Sequence, residues 1–395
     1  MIPRPVIDRS AADLARLREV IRRIEATPPH RRSAPPPPPD LALERVETPH
    51  GIALRRTEEV PLPDGLSPAT GADGTVFLDT ETTGLAGGTG TYVFLVGLAR
   101  RTRTGLHVTQ YFLGDLAAEA AFLAAVRDAV AGSRQLVTFN GRSFDLPLLE
   151  TRYLLGRAPW WGPEIAHLDL YPMARALWRA RVEDCRLTTL EAALLGLDRG
   201  DDLPGALMPQ LYFRYLRLAD TRPLPRIFDH NRWDLVALAA LAARAAQLLA
   251  GPDPCHDPLE WLGAAHWLER RDPVRSVGFY EAALGAGLPV GARAPAAWRL
   301  GRLWRRTGRA TDALGLWRDA VAADPAPPLG LLVDLAKLCE HRARDYAAAL
   351  RYTRTALERA ERESPFEIRA LVLEALAHRA RRLERRLDAA SSVLL

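Results

Sequence analysis

The sequence predicts an α/β domain, a mixed central sheet flanked by helices, followed by an all-α C-terminal domain. Three observations carry this expectation. Strand-like apolar runs cluster between Thr75 and Leu113 and then alternate with helical stretches as far as Leu155, the order of a mixed sheet covered by helices. Beyond about residue 170 the chain reads as almost wholly helical. After residue 255 a pattern of small and aromatic residues recurs, with Tyr280, Trp317 and Tyr352 separated by 37 and 35 residues.

The elements follow in chain order. Residues 1–70 read as an N-terminal helix and Pro-rich linker. Ser10 offers a cap, and Leu14, Leu17, Val20, Ile21 and Ile24 form a helical stripe that stops near Pro28-Pro29. Pro35 to Pro39 read as a polyproline II spacer, with an SH3- or WW-type ligand as the sharper alternative. Thr75-Val-Phe-Leu-Asp79 opens the α/β domain expected over residues 71–250, and Gly84 to Gly90 form a turn. Strands are expected at Tyr92 to Ala99, His107 to Leu113 and Gln135 to Phe139, with helices over residues 117–131 and from Leu146 to Leu155. The segment Pro252-Asp-Pro-Cys-His-Asp-Pro258 marks a boundary before residues 255–395.

Hydrophobic residues make up 48% of the chain and charged residues 26%, which suffices for a buried core and excludes wholesale disorder, collagen and a small disulfide scaffold. No uninterrupted apolar run reaches the roughly 20 residues that span a bilayer, and the N-terminus lacks the apolar core of a secretory signal. Cys185, Cys255 and Cys339 stand far apart with no C-x-x-C pair. A reducing, cytoplasmic setting is therefore expected, with no membrane contact. The net charge of +5 permits a polyanionic partner without demanding one.

Three segments carry candidate chemistry. Asp79-Thr-Glu81 ends the first strand, and residues i and i+2 of a strand share a face, so both carboxylates project together. Like charges that close repel, and a divalent cation is the usual remedy. Asn140-Gly-Arg-Ser143-Phe-Asp145 runs from a strand through a turn into a helix start. His230 and Asp234 lie four apart on one helix face, with Leu235, Leu238, Ala242 and Leu249 anchoring that helix. Taken singly, each has an ordinary explanation as a solvated pair, a helix-start acid or a surface pair. Gly84 to Gly90 is not followed by a lysine, which excludes a P-loop.

Their order is more specific. D-x-E, then N-G-x-x-F-D, then H-x-x-x-D, each at a strand or helix start, resembles the DEDD (DnaQ-like) exonuclease group of the ribonuclease H-like superfamily over roughly residues 74–250. More narrowly it looks like the YprB-type branch, as do His167-Leu-Asp169-Leu, Arg186-Leu-Thr-Thr-Leu-Glu191 and Asp201-Asp202-Leu-Pro-Gly205. The C-terminal pattern is similar to the tetratricopeptide repeat. In its middle unit Leu300, Gly301, Trp304, Gly308, Ala313, Trp317, Ala320 and Pro325 match, while Ala297 stands where the pattern usually has Trp. Three degenerate repeats and a capping helix over residues 367–388 are expected.

The resemblance implies a ribonuclease H-like fold and a metal-dependent 3′→5′ exonuclease acting on single-stranded DNA or RNA ends. It assigns Asp79, Glu81, Asp145 and Asp234 to two Mg²⁺ or Mn²⁺ ions clamping the scissile phosphate, and His230 to the general base. Thr80, Asn140 and Ser143 are candidate substrate contacts, with capping of the turn as the alternative for Asn140 and Ser143. One departure bears on His230: the His subgroup usually places four residues between His and Asp and the Tyr subgroup three, whereas here three follow a His. His230 can therefore stand where the tyrosine would, orienting water rather than deprotonating it. The repeats would recruit a protein partner or extend the substrate groove. The rival reading is a non-catalytic scaffold that only grips nucleic acid or a protein.

Overall fold

The structure, a computed structural model, describes residues 41–61, 74–84, 89–200, 202–363 and 366–392. The expected N-terminal helix, the proline run and the centre of the Gly84–Gly90 turn lie outside these residues.

Seven strands form one sheet in the order β1-β2-β5-β4-β3-β6-β7. They are β1 Glu44–Thr48, β2 Gly51–Pro61, β3 Thr75–Thr82, β4 Val93–Arg101, β5 Gly105–Phe112, β6 Gln135–Thr138 and β7 Ala166–Asp169. Pairing is antiparallel from β1 through β3, whereas β6 joins β3 and β7 joins β6 in parallel. The mixed sheet expected from the sequence is thus present, and larger than expected.

Residues 44–61, read from the sequence as linker, form the β1–β2 hairpin instead, and β2 pairs with β5 from Leu54 opposite Phe112 to Pro61 opposite Gly105. This hairpin is rich in charge and mostly half-exposed. Cross-strand pairs such as Arg55 with Glu44 at 2.6 Å replace the apolar alternation that would have announced it. β7, only four residues long, was also not foreseen.

Helices cover both faces. They are α1 Glu119–Val130, α2 Asp145–Leu155, α3 Leu170–Trp178, α4 Leu187–Leu190, α5 Met208–Leu218 and α6 Leu224–Ala250, and one π-helical turn, Glu191–Leu195, prolongs α4. Alternate residues of β3 serve opposite cores. Val76 and Leu78 pack with Phe122, Val126 and Tyr153, while Phe77 packs with Trp178, Leu235 and Leu238. Burial on both faces explains the unbroken apolar run of β4, from Val93 to Ala99 with Gly97 in its midst. Helix α6 is long and apolar enough to cross a membrane by length and composition. Here its Leu235, Leu238, Leu241 and Leu248 are buried in the core.

The C-terminal helices are α7 Pro258–Leu268, α8 Pro273–Gly285, α9 Val290–Arg306, α10 Ala310–Ala323, α11 Leu329–Leu338, α12 Tyr346–Glu363 and α13 Phe366–Ser392. Each packs on its sequence neighbours. Gly301 of α9 matters here: a Cβ on it would lie 2.1 Å from Nε1 of the fully buried Trp317 on α10. That indole nitrogen donates to the Ala297 carbonyl at 3.0 Å, locking the pair. Helix α7 begins with a capping box, Asp257 with Glu260, and packs directly on α3, where a Cβ on Gly263 would lie 2.1 Å from the Leu177 carbonyl oxygen.

Candidate metal-binding active site

Asp79 lies in a row that crosses three strands, opposite Gly97 on β4, which is opposite Gln110 on β5. Gly97 leaves the gap through which α6 reaches the sheet; a Cβ there would fall 2.1 Å from Asn231 Oδ1. The buried Gln110 donates from Nε2 to Asn231 Oδ1 and to the Phe228 carbonyl, both at 2.8 Å. Asn231 in turn donates from Nδ2 to Asp79 Oδ2 at 2.8 Å. The first acid is thus aimed by a relay of two amides.

Glu81, two residues on, is 8% exposed. Asp145, the first residue of α2, accepts a hydrogen bond from the Thr80 hydroxyl at 2.5 Å, which ties the third acid to the strand carrying the first two. Asp234, nearly three turns into α6, approaches from the opposite helix layer. Its Oδ2 lies 3.4 Å from His230 Nε2, which is 3.9 Å from Glu81 Oε1. The structure therefore brings Asp79, Glu81, Asp145, His230 and Asp234 together, from three separate segments.

Asp202 accepts at 2.8 Å from Nδ1 of His230. With Asp202 at Nδ1, the other ring nitrogen, Nε2, is the one that faces Glu81 and Asp234. Arg199 occupies the other side of Asp234, donating at 2.6 Å to Oδ1 while also binding Glu191 at 2.8 Å and Asp202 at 3.1 Å. Burial alone would lower the Arg199 pKa, but Asp234 and Glu191 outweigh it and raise it.

The remaining charge is uncompensated. Burial first, then the charges of Asp234 and Asp145, pushes the Asp79 and Glu81 carboxyls well above the usual carboxylate range. Burial likewise raises Asp145 to about 6, against the opposing hydrogen bond from Thr80. Four oxygen donors in that electrostatic state fit a hard divalent cation such as Mg²⁺ or Mn²⁺, and Glu81, His230 and Asp234 place ligand atoms within 4.8 Å of one another.

The candidate substrate residues fare differently. The Thr80 hydroxyl is engaged by Asp145. Asn140 adopts a left-handed φ of 63°, and its backbone N–H donates to Asp169 Oδ1 at 2.7 Å. Asp169 also accepts from the N–H groups of Arg142 and Tyr171, so it ties the Asn140 turn to the start of α3. Ser143 is exposed. Beside this turn a shallow cleft is lined by Phe139, Asn140, Phe144, Tyr171 and Arg186.

Sequence reasoning missed Gln110, Asn231, Arg199 and the role of Asp202. An isolated Gly97 inside an apolar strand was the available signal of a close approach. Asn231 itself adjoins His230, and Asp202 lay in a segment that resembled the family without a stated role.

The RNase_H superfamily profile matches residues 76–246. The chain is 30% identical over 288 residues to the uncharacterized protein YprB of Bacillus subtilis (strain 168), covering 71% of this chain and 68% of that one. Among solved structures it is similar to product-bound exonuclease I, with 17% identity, TM-score 0.26 and 40% of this chain covered. It is also similar to the zinc-bound form of an E. coli ExoI–ssDNA complex, with 17% identity, TM-score 0.27 and 42% covered. This chain spans 45% of either structure, an overlap too partial to build on. Fold, motif order and the relationship to YprB agree: the chain belongs to the ribonuclease H superfamily, in the family of YprB.

Proposed function

We propose that this protein is a divalent-metal-dependent nuclease, a phosphodiester hydrolase that removes nucleotides from the 3′ ends of single-stranded DNA or RNA. The observation that carries this is the convergence of four acids from β3, α2 and α6 on one partly buried point, with Asp79, Asp145 and Asp234 each held by a named donor. Asp79, Glu81, Asp145 and Asp234 would hold two Mg²⁺ or Mn²⁺ ions. When bound, such ions supply charge stabilisation to the phosphate and acidify the attacking water.

The chain's own residues do the rest. His230 presents a basic Nε2 toward that centre and can take a proton, and Asp202 at Nδ1 stabilises the imidazolium that forms. Asn231 and Thr80 fix the orientations of Asp79 and Asp145. The cleft of Phe139, Phe144 and Tyr171, beside Asn140, offers aromatic surface for a terminal base. The C-terminal helices, with Gly301 seated against Trp317, support the reading of tetratricopeptide-like repeats.

A non-catalytic scaffold is favoured by one observation, the Arg199 guanidinium already resting on Asp234. The deciding experiment is Mn²⁺- and Mg²⁺-dependent degradation of end-labelled single-stranded DNA and RNA, wild type beside Asp79→Ala. The expected outcome is a ladder shortening from the 3′ end that vanishes with Asp79→Ala. Full turnover in purified Asp79→Ala would overturn the site, and absence of cleavage of either polymer with either metal would favour the scaffold.

A further inference from the structure

A second charged feature lies outside the carboxylate site. Between α9, α11 and α13 opens a concavity of about 560 Å³ whose wall carries Arg302, Arg305, Arg306, Lys337, Arg342 and Arg379. One carboxylate, Asp334, shares this wall, and its oxygens are already engaged by the Trp298 Nε1 at 2.9 Å and by Lys337 and Arg305 at 3.8 and 4.0 Å. Arg379 pairs with the fully buried Glu340 at 2.6 Å. Arg302, Arg306 and Arg342 are exposed and have no acidic partner among the described residues. Three exposed guanidinium groups thus face one hollow with no carboxylate paired to them among the described residues, which leaves their donors available to an anion.

The charge of the whole chain is concentrated in the same region. Residues 290–395 hold 20 of the 53 basic residues and 13 of the 48 acidic ones, a net +7, which leaves −2 for residues 1–289. The α/β part thus offers a polyanion an acidic centre and no net attraction. The helical part supplies the attraction, through arginine forks whose planar donors match phosphate oxygens in pairs.

We propose that this concavity binds the phosphodiester backbone of single-stranded nucleic acid, as a tether for the strand whose end the carboxylate site hydrolyses. The choice of nucleic acid over an acidic peptide rests on the nuclease reading given above. Arg302, Arg306 and Arg342 take backbone phosphates without reading sequence, so the groove is indifferent to base identity and sensitive to salt.

The test is fluorescence anisotropy of labelled oligo(dT) and oligo(U), each about 20 nucleotides long. It is performed in EDTA so that no hydrolysis occurs, with the full-length chain. The variant is Arg302→Ala/Arg306→Ala/Arg342→Ala, which removes exposed groups and no ion pair. Binding is expected to weaken at least tenfold, and the log–log salt dependence to become shallower by about 2, as three contacts at about 0.7 each require. Mn²⁺-dependent hydrolysis of bis(p-nitrophenyl) phosphate, too small to bridge groove and centre, is expected to match wild type. The triple Lys variant is expected to recover most of the affinity, since it restores the charge. Unchanged affinity and salt slope for both oligonucleotides would overturn the proposal. So would oligonucleotide affinity intact beside lost binding of an oligoglutamate peptide, which would assign the groove to an acidic protein. Because binding is read without metal, failure of hydrolysis would remove the nuclease reading and leave the groove result standing.

Discussion

Asp79 is aimed by an amide that is itself aimed. Asn231 has one donor group on Asp79 and its acceptor oxygen on Gln110, so neither amide can rotate without breaking a bond inside the core. Groups that orient a ligand in this way typically change metal affinity 10–100-fold when lost. Asn231→Ala is therefore expected to lower Mn²⁺ affinity by about that factor in titration calorimetry, with the circular dichroism spectrum retained. Asp145 gives a prediction of definite sign. Its carboxyl is raised from 3.8 to about 6 in the folded chain, so between those values the folded state holds the proton more tightly than the unfolded state. Metal-free stability then falls as pH rises through that window. Asp145→Asn, which resembles the protonated acid, is expected to exceed wild type in urea melts in EDTA above about pH 6. The two should converge below about pH 4. A gap that widens instead toward low pH would show that Asp145 is not desolvated. The acids and His230 were legible in the sequence because each lies in a short motif with local spacing. Gln110 and Asn231 were not, since they act through a gap at Gly97 that exists only once β3, β4, β5 and α6 have assembled.

Elements were legible in proportion to how much apolar surface they bury. β3 and β4 carry core on both faces and announce themselves as continuous runs of Val, Phe and Leu. Helix α6 shows a full apolar stripe because it lies against the sheet and the α7 region together. The β1–β2 hairpin sits at the sheet edge, where backbone pairing with β5 and ion pairs such as Arg55 with Glu44 hold strands whose side chains stay half in solvent. A charged edge strand resists pairing with another molecule, and the same charge hides it from a hydrophobic pattern. β7 is short and ends on Asp169, whose side chain holds the Asn140 turn and the start of α3; its residues serve a junction more than a core. In the C-terminal part the small and large positions were visible because they are local. Gly301 and Trp317 belong to adjacent helices, and the resemblance to the tetratricopeptide pattern marked both positions.

At the scale of the whole molecule, the α/β part and the C-terminal helices share one core. A single buried cluster runs from Phe77 and Val137 through Trp178 and Leu238 to Trp261, Phe279 and Leu300. Polar contacts cross the same junction. Glu260 at the start of α7, its side chain fully buried, binds Arg181 beyond α3 at 2.6 Å and Arg244 on α6 at 3.2 Å. Gly263 lets the backbones of α7 and α3 nearly touch. The Pro-rich segment 252–258 therefore turns the chain without separating two independent bodies, and the charge carried by α9 to α13 stays coupled to the fold that carries the acids. Glu260→Ala would leave Arg181 and Arg244 at the junction, each partly in contact with solvent, without an acidic partner among the described residues. Removing one partner of a buried ion pair costs about 3–5 kcal/mol, and the upper part of that range is softened here because both arginines keep some solvent contact. Glu260→Ala is therefore expected to lower stability by about 3 kcal/mol in urea unfolding. One cooperative transition should be seen by both tryptophan fluorescence and circular dichroism, since Trp178 and Trp261 report from either side of the junction. Two separated transitions, with the Glu260→Ala loss confined to one of them, would mean that the junction does not couple the two parts.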